Sequence, residues 1–169
     1  METKQTALAN GNVLWGTFFI GDTELAVDIS KQKEIIRMTR ITKLPGPVHT
    51  RLFEGAVHHR GAVLPVLELR KIFCMPHKGH SADSRIIIID VLGTDIGIVV
   101  DAIGSMYSVP DAAIMPAPGV LNGAGTLLGS IFIVDGRTVS ILNTDMLLSC
   151  QADYLPAMEP QPQYAAAGR

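Results

Sequence analysis

Leu128-Gly129-Ser130-Ile131-Phe132-Ile133-Val134-Asp135-Gly136-Arg137-Thr138-Val139-Ser140-Ile141-Leu142 is the strongest local signal in this chain. Two apolar-rich runs flank Asp135-Gly136, a dipeptide that supplies the positive φ angles of a type I′ turn, so the stretch predicts a β-hairpin. Upstream of it stands Ile114-Met115-Pro116-Ala117-Pro118. The pair has a counterpart earlier in the chain: Lys43-Leu44-Pro45-Gly46-Pro47, then Gly61-Ala62-Val63-Leu64-Pro65-Val66-Leu67 and Ile72-Phe73, matched later by Gly136 to Leu142 and Leu147-Leu148. Pro118 lies 71 positions after Pro47 and Gly136 lies 75 after Gly61, so one offset survives with a four-residue insertion. A β-rich unit that occurs twice predicts two lobes with a groove between them.

The rest of the chain is read the same way. Thr17 to Ile20, a Gly21-Asp22 turn and Glu24 to Asp28 predict a hairpin. Ser30 to Arg37 is a short helix or a strand continuation, a window too short for periodicity to decide. Gly61 to Leu69 reads as a strand that Pro65, lacking a donor, places at an edge or a bulge. Arg85 to Val91 and Asp95 to Asp101, joined around Gly93-Thr94, are nearly continuous in apolar residues, so both faces of that hairpin are expected to be buried. Asn143 is placed to cap a closing helix through Leu148. Residues 1–13 read as a flexible arm and 151–169 as a disordered tail. Between them, 14–150 form a single domain of two β lobes, with the polar segment 76–84 as the seam and strands free to cross between lobes. The fold class is all-β, two small barrels packed together with a short C-terminal helix.

Composition excludes several functions. At 47% apolar and 18% charged residues, with a net charge of −2, the chain lacks the basic footprint that nucleic-acid phosphates require. Its aliphatic runs are strand length, far short of the ~20 residues of a membrane span. The N-terminus has no secretory pattern, and the two cysteines, Cys74 and Cys150, form no disulfide framework. A cytoplasmic location is expected.

The segment from Gly55 through His58-His59-Arg60-Gly61 to Pro65-Val66-Leu67-Glu68-Leu69-Arg70 resembles the signature of CheW, the bacterial chemotaxis coupling protein, in which Gly-Val-x-Asn-Leu-Arg-Gly leads into a Pro-[Val/Ile]-[Ile/Val]-Asp-Leu-Arg strand. The resemblance runs in family order through Glu34-Ile35, Ile96 to Asp101, Ile114 to Pro118 and the Asp135-Gly136 hairpin, from about Thr17 to Leu148. It implies two five-stranded β-barrels and no enzymatic activity or cofactor. The implied role is an adaptor, recruited to receptor arrays, between the cytoplasmic tip of a chemoreceptor and the regulatory domain of a CheA-like histidine kinase. CheW-like adaptors also serve other pathways, such as surface motility. With about twenty residues after Leu148, a fused kinase or receiver domain has no room, and a free-standing adaptor is expected.

The resemblance singles out eight residues for partner binding. Arg60, alone a solvated turn residue, aligns with the family's functional arginine, whose guanidinium suits a partner carboxylate. Glu34, alone an exposed charge, falls on the receptor-coupling face. Gly55, Gly97 and Gly129 match family glycines that serve backbone geometry, or shape an interface by close approach. Ile29 and Ile96 flank the inter-lobe groove and either receive a receptor helix or pack in the core. Gln32 stands where relatives often carry an aliphatic residue, which makes that contact more polar or assigns it to another partner.

His58 and His59 replace the family's Asn-Leu. Adjacent strand residues point to opposite faces, so the two do not share one metal without a bend. An imidazole beside Arg60 would make coupling pH-dependent. Cys74, His77 and His80 have C-x2-H-x2-H spacing but no evident fourth ligand, and no metal is expected. The rival reading, a small metal-binding enzyme, rests on Asp90 and Asp101 as carboxylates of neighbouring strands, with no nucleophile elbow or phosphate-cradling loop to support it.

Overall fold

The computed structural model describes residues 11–43, 53–118 and 127–147; the arm before Gly11, residues 44–47 and the C-terminal tail lie outside the described residues. The strands are β1 (Asn12–Ile20), β2 (Thr23–Asp28), β3 (Gln32–Arg37), β4 (Phe53–His59), β5 (Ala62–Glu68), β6 (Arg85–Val91), β7 (Thr94–Val100), β8 (Ala102–Pro110), β9 (Met115–Pro116), β10 (Ser130–Val134) and β11 (Arg137–Ile141). One short helix, α1 (Leu69–Ile72), follows β5. The architecture is all-β, as expected, in two sheets. The first has the order β8-β1-β2-β11-β10-β9 and the second β3-β6-β7-β5-β4.

The hairpins form where the turn residues place them. Asp135 and Gly136 take φ of 49° and 72° between β10 and β11, and Arg60-Gly61 and Leu92-Gly93 make equivalent positive-φ turns. Ser30 to Arg37 is resolved in favour of strand, because β3 pairs with β6 from Gln32 to Arg37. Three expectations are corrected. The first strand begins at Asn12, inside the expected arm, since Val13 is buried in the core. Over the described residues the closing helix is a 3-10 turn, Thr144–Met146, from whose N–H groups the Asn143 side chain accepts no cap bond. Pro65 lies in an interior strand, β5 between β7 and β4, yet no ladder bond is asked of it: pairing with β7 begins only at Val66, and the Ala56 opposite it directs its N–H and C=O to Thr42.

The seam is also elsewhere. Segment 76–84 joins α1 to β6 within the second sheet, whereas the chain crosses between sheets at Ile29–Lys31 and at Asp101. The reason is the way the duplication is assembled. β3-β6-β7-β5-β4 and β8-β1-β2-β11-β10 have the same pairings in the same order, including one parallel pair each, β5 with β7 and β11 with β2. The second copy therefore takes its central hairpin from the N-terminal end of the chain.

Each sheet curls around its own small core. Val57, Leu64, Val66, Ile86, Ile88 and Val99 fill the second, and Val13, Trp15, Ala26, Val109, Phe132, Val139 and Ile141 fill the first. In the second sheet the chain beyond β3 returns to β4 through one bridge, Thr42 with Ala56, whose two N–H···O bonds are 2.8 and 2.9 Å. In the first, Arg137 of β11 reaches the Tyr107 hydroxyl of β8 and the buried Glu24 carboxylate of β2, each at 3.2 Å. The convex faces of the sheets meet in the largest core, where Phe18, Ile20, Leu25 and Val27 pack with Leu67, Ile87, Ile89, Ile96, Ile98 and Val100. β6 and β7 thus contribute to two cores at once, as their continuous apolar sequence demands.

Candidate partner-binding site

The β4–β5 turn carries Arg60 at φ 49°, a conformation that a two-residue turn imposes on its first position. This aims the arginine at β3, the strand brought round by the curl of the sheet. One guanidinium N–H of Arg60 donates to Glu34 Oε1 at 3.0 Å, and His59 Nε2 lies 3.1 Å from Glu34 Oε2. His58 points away and is exposed, as the alternation of a strand requires. The Glu34 carboxylate is therefore gripped by two successive residues at the end of β4. The Arg60 side chain remains 76% exposed, leaving most of its five donors toward solvent.

This cluster stands on the rim of an open groove of about 630 Å³ at one end of the second barrel. Val63, Leu64, Pro65 and Ile88 supply apolar wall, and Lys33 and Asp95 complete a charged rim. The Lys33 ammonium bridges Asp95 and Asp90. Its bonds to Asp95 and then Asp90 raise its affinity for the proton. The Asp90 carboxyl is held below the usual carboxylate range by the Gly93 N–H and then by Lys33. Two aliphatic side chains that motif reading missed stand at this end in water, Val63 (72% exposed) and Leu92 (68%). Leu92 was detectable, since it fills a positive-φ turn position where Asn or Asp is the ordinary choice.

The other nominated residues are dispersed. Ile29 is half-buried at the crossing between sheets and, with Gln32, packs over Gly16, where an added β-carbon would meet Ile29 Cδ1 at 2.8 Å and Gln32 Oε1 at 3.0 Å. Ile96 is 0% exposed and belongs to the core between the sheets. The expected inter-lobe groove at Ile29 and Ile96 is filled, so Ile96 is packing and no partner contact. Gly97 is likewise buried, with Ile86, Val66 and Leu64 around the place of its missing side chain. Gly55, at φ 156°, lets the Thr42 carbonyl approach and close the barrel. Only Gly129 is open, at the start of β10 on a separate small cavity.

Among the described residues the carboxylates and the C-x2-H-x2-H set named from the sequence do not converge. Asp90 and Asp101 sit at opposite ends of the β6–β7 hairpin, Asp90 with Lys33 and Asp101 with Arg70. Cys74, His77 and His80 are exposed along one loop, and among the described residues no three His, Cys, Asp or Glu side chains converge. Among the described residues no helix is long and apolar enough to cross a membrane.

Comparison with known proteins agrees with this architecture. A probable chemotaxis protein CheW of Rhizobium etli is 30% identical over 133 residues, covering 78% of this chain and 84% of the relative. Protein FrzA of Myxococcus xanthus is 30% identical over 134 residues, covering 78% and 82%. The crystal structure of scaffolding protein TtCheW from Thermoanaerobacter tengcongensis superposes with a TM-score of 0.75 at 29% identity, covering 80% of this chain and 92% of that one. The model of the CheW-like domain matches residues 15–152, which span both curled sheets and the Glu34–Arg60 cluster, and the chain belongs to the CheW-like domain family.

Proposed function

We propose that this chain is a non-enzymatic scaffold of chemotaxis signalling that holds the cytoplasmic tip of a chemoreceptor to the regulatory domain of a CheA-type histidine kinase, in arrays on the cytoplasmic side of the membrane. The observation that carries the reading is the exposed Arg60, preset by its turn and by Glu34, beside the unpartnered Val63 and Leu92. A flexible arginine loses conformational freedom on binding, and one already oriented loses less. Flanking aliphatics exclude water from the contact, where a charged pair is worth more. Ile29 and Gln32, at the crossing between the sheets, and Gly129, at the start of β10, are assigned to a second partner. Signal passes because each partner contacts two states of its neighbour differently; equal contact would shift nothing.

Titrating wild type and Arg60→Ala against the regulatory domain of the cognate kinase and against a receptor tip, followed by kinase autophosphorylation, tests this. Wild type binds both, and the variant loses at least about tenfold in one affinity together with receptor control of the kinase. Absence of binding to either partner by the wild type rejects the reading. A relative of another name, Protein FrzA, at the same 30% identity, goes with a second reading, the same scaffold in a pathway other than chemotaxis, such as surface motility. Preference for a kinase of that pathway over the chemotaxis kinase would select it.

A further inference from the structure

The strand pairings set the residues of the two sheets in correspondence. Val66 stands beside Gly97 across the parallel pair of the second sheet, as Ile141 stands beside Ala26 across that of the first. Val91 and Thr94 close the β6–β7 hairpin as Ile20 and Thr23 close β1–β2, and His59 and Ala62 flank their turn as Val134 and Arg137 flank theirs. Counted from these fixed points, Asp95 corresponds to Glu24 and Ala62 to Arg137. The mouth of the first barrel is filled from within: the Arg137 guanidinium pairs with Glu24 Oε2 and donates to the Tyr107 hydroxyl, each at 3.2 Å. The second barrel keeps the carboxylate but has only a methyl group in place of the arginine, and its mouth is the open groove of about 630 Å³. Asp95 Oδ1 is bonded to Lys33, and among the described residues no group is bonded to Oδ2.

We propose that the mouth of the second barrel receives an arginine side chain of a partner protein, in the place that Arg137 takes in the first. Glu34, Asp90 and Asp95 stand there against Lys33 and Arg60, three carboxylates to two fixed cations, so with His59 uncharged the mouth holds one unbalanced negative charge. The incoming guanidinium donates to Asp95 and balances that charge. Its methylene stem lies along Leu64, Pro65 and Ile88, the apolar wall of the groove. A planar fork serves two acceptors at once, as Arg137 serves Glu24 and Tyr107, whereas an ammonium is a point charge of the kind Lys33 already supplies. An acidic side chain would add to the excess. The adaptor reading enters only as the source of the arginine.

The test is an NMR titration of the ¹⁵N-labelled full-length protein with N-acetyl-arginine methylamide. The Thr94 and Asp95 amide resonances shift saturably. N-acetyl-lysine methylamide, of equal charge, and N-acetyl-citrulline methylamide, of equal shape, bind at least about fivefold more weakly. Ala62→Arg, at an exposed position, gives the second barrel the arginine of the first, fills the mouth and abolishes the response. Asp95→Asn weakens it at least about tenfold. Dispersed amide spectra report that both variants are folded. Equal binding of the lysine or citrulline probe, an unchanged response in either variant, or a shift linear in probe concentration overturns the proposal. These outcomes are independent of whether receptor tip or kinase binds in the titrations above, so the two readings fail separately.

Discussion

At Gly55 an added β-carbon would stand 2.3 Å from the Thr42 carbonyl oxygen, at a φ of 156° that disfavours side chains. Gly55→Ala is expected to lose about 3 kcal/mol in denaturant unfolding, the sum of a backbone clash and conformational strain, because neither Thr42 nor the bulge beside it is free to move. Arg60→Ala is expected to change stability by less than about 0.5 kcal/mol, since an exposed ion pair contributes little. The same denaturant titration on both variants separates a structural residue from an interaction residue. Of the eight nominated positions, the structure brings Glu34 and Arg60 together in an exposed pair and sets Ile29 beside Gln32 at the sheet crossing. The resemblance of Glu34 and Arg60 to a family pattern was legible, but the hydrogen bond between them depends on the curl that carries β3 round to the β4–β5 turn. Ile96 shows the converse: an aliphatic residue reads the same in a groove and in a core.

At the scale of the element, α1 is four residues long and holds the lobes together electrostatically. Arg70 is buried, pairs with Asp101 at the sheet crossing and donates to the Pro76 carbonyl, and Asp101 also accepts from Gly21 N–H at the β1–β2 turn. Partial burial alone would raise the Asp101 carboxyl, but the Gly21 amide and then the Arg70 guanidinium outweigh it and hold it below the ordinary range. A depressed carboxylate contributes stability that is full above the unfolded value, near pH 4, and drains as pH falls through the folded one. Glu68, which caps α1 through the Arg70 N–H, has the opposite sign: burial raises it, and its penalty is relieved on acidification. Asp101→Asn is therefore expected to lose about 3 kcal/mol at neutral pH, from the buried Arg70 left without its counter-charge. Its stability should also fall less steeply below pH 4 than that of wild type, as measured by urea midpoints across pH.

At the scale of the whole molecule, two equivalent curled sheets share one central core and exchange their chain. The convex face of the second sheet, with Leu67, Ile87, Ile89, Ile96 and Ile98, is covered by Phe18, Ile20, Leu25 and Val27 from the N-terminal hairpin. A fragment of residues 30–101, which retains every strand of the second sheet, is therefore expected to lack dispersed amide resonances in NMR, because that apolar face would meet water. Adding back the remaining chain should restore them. The all-β class, the hairpins at Asp135-Gly136 and Gly93-Thr94, and the existence of a repeat were determined by sequence alone, because turn chemistry and strand alternation act over a few residues. Which hairpin completes which copy, where the chain crosses, and that the space between lobes is core were decided only by tertiary structure. Those depend on contacts between residues far apart in the chain, where burial of two convex apolar faces outweighs any local preference, and a polar segment such as 76–84 carries no record of the sheet to which its neighbours belong.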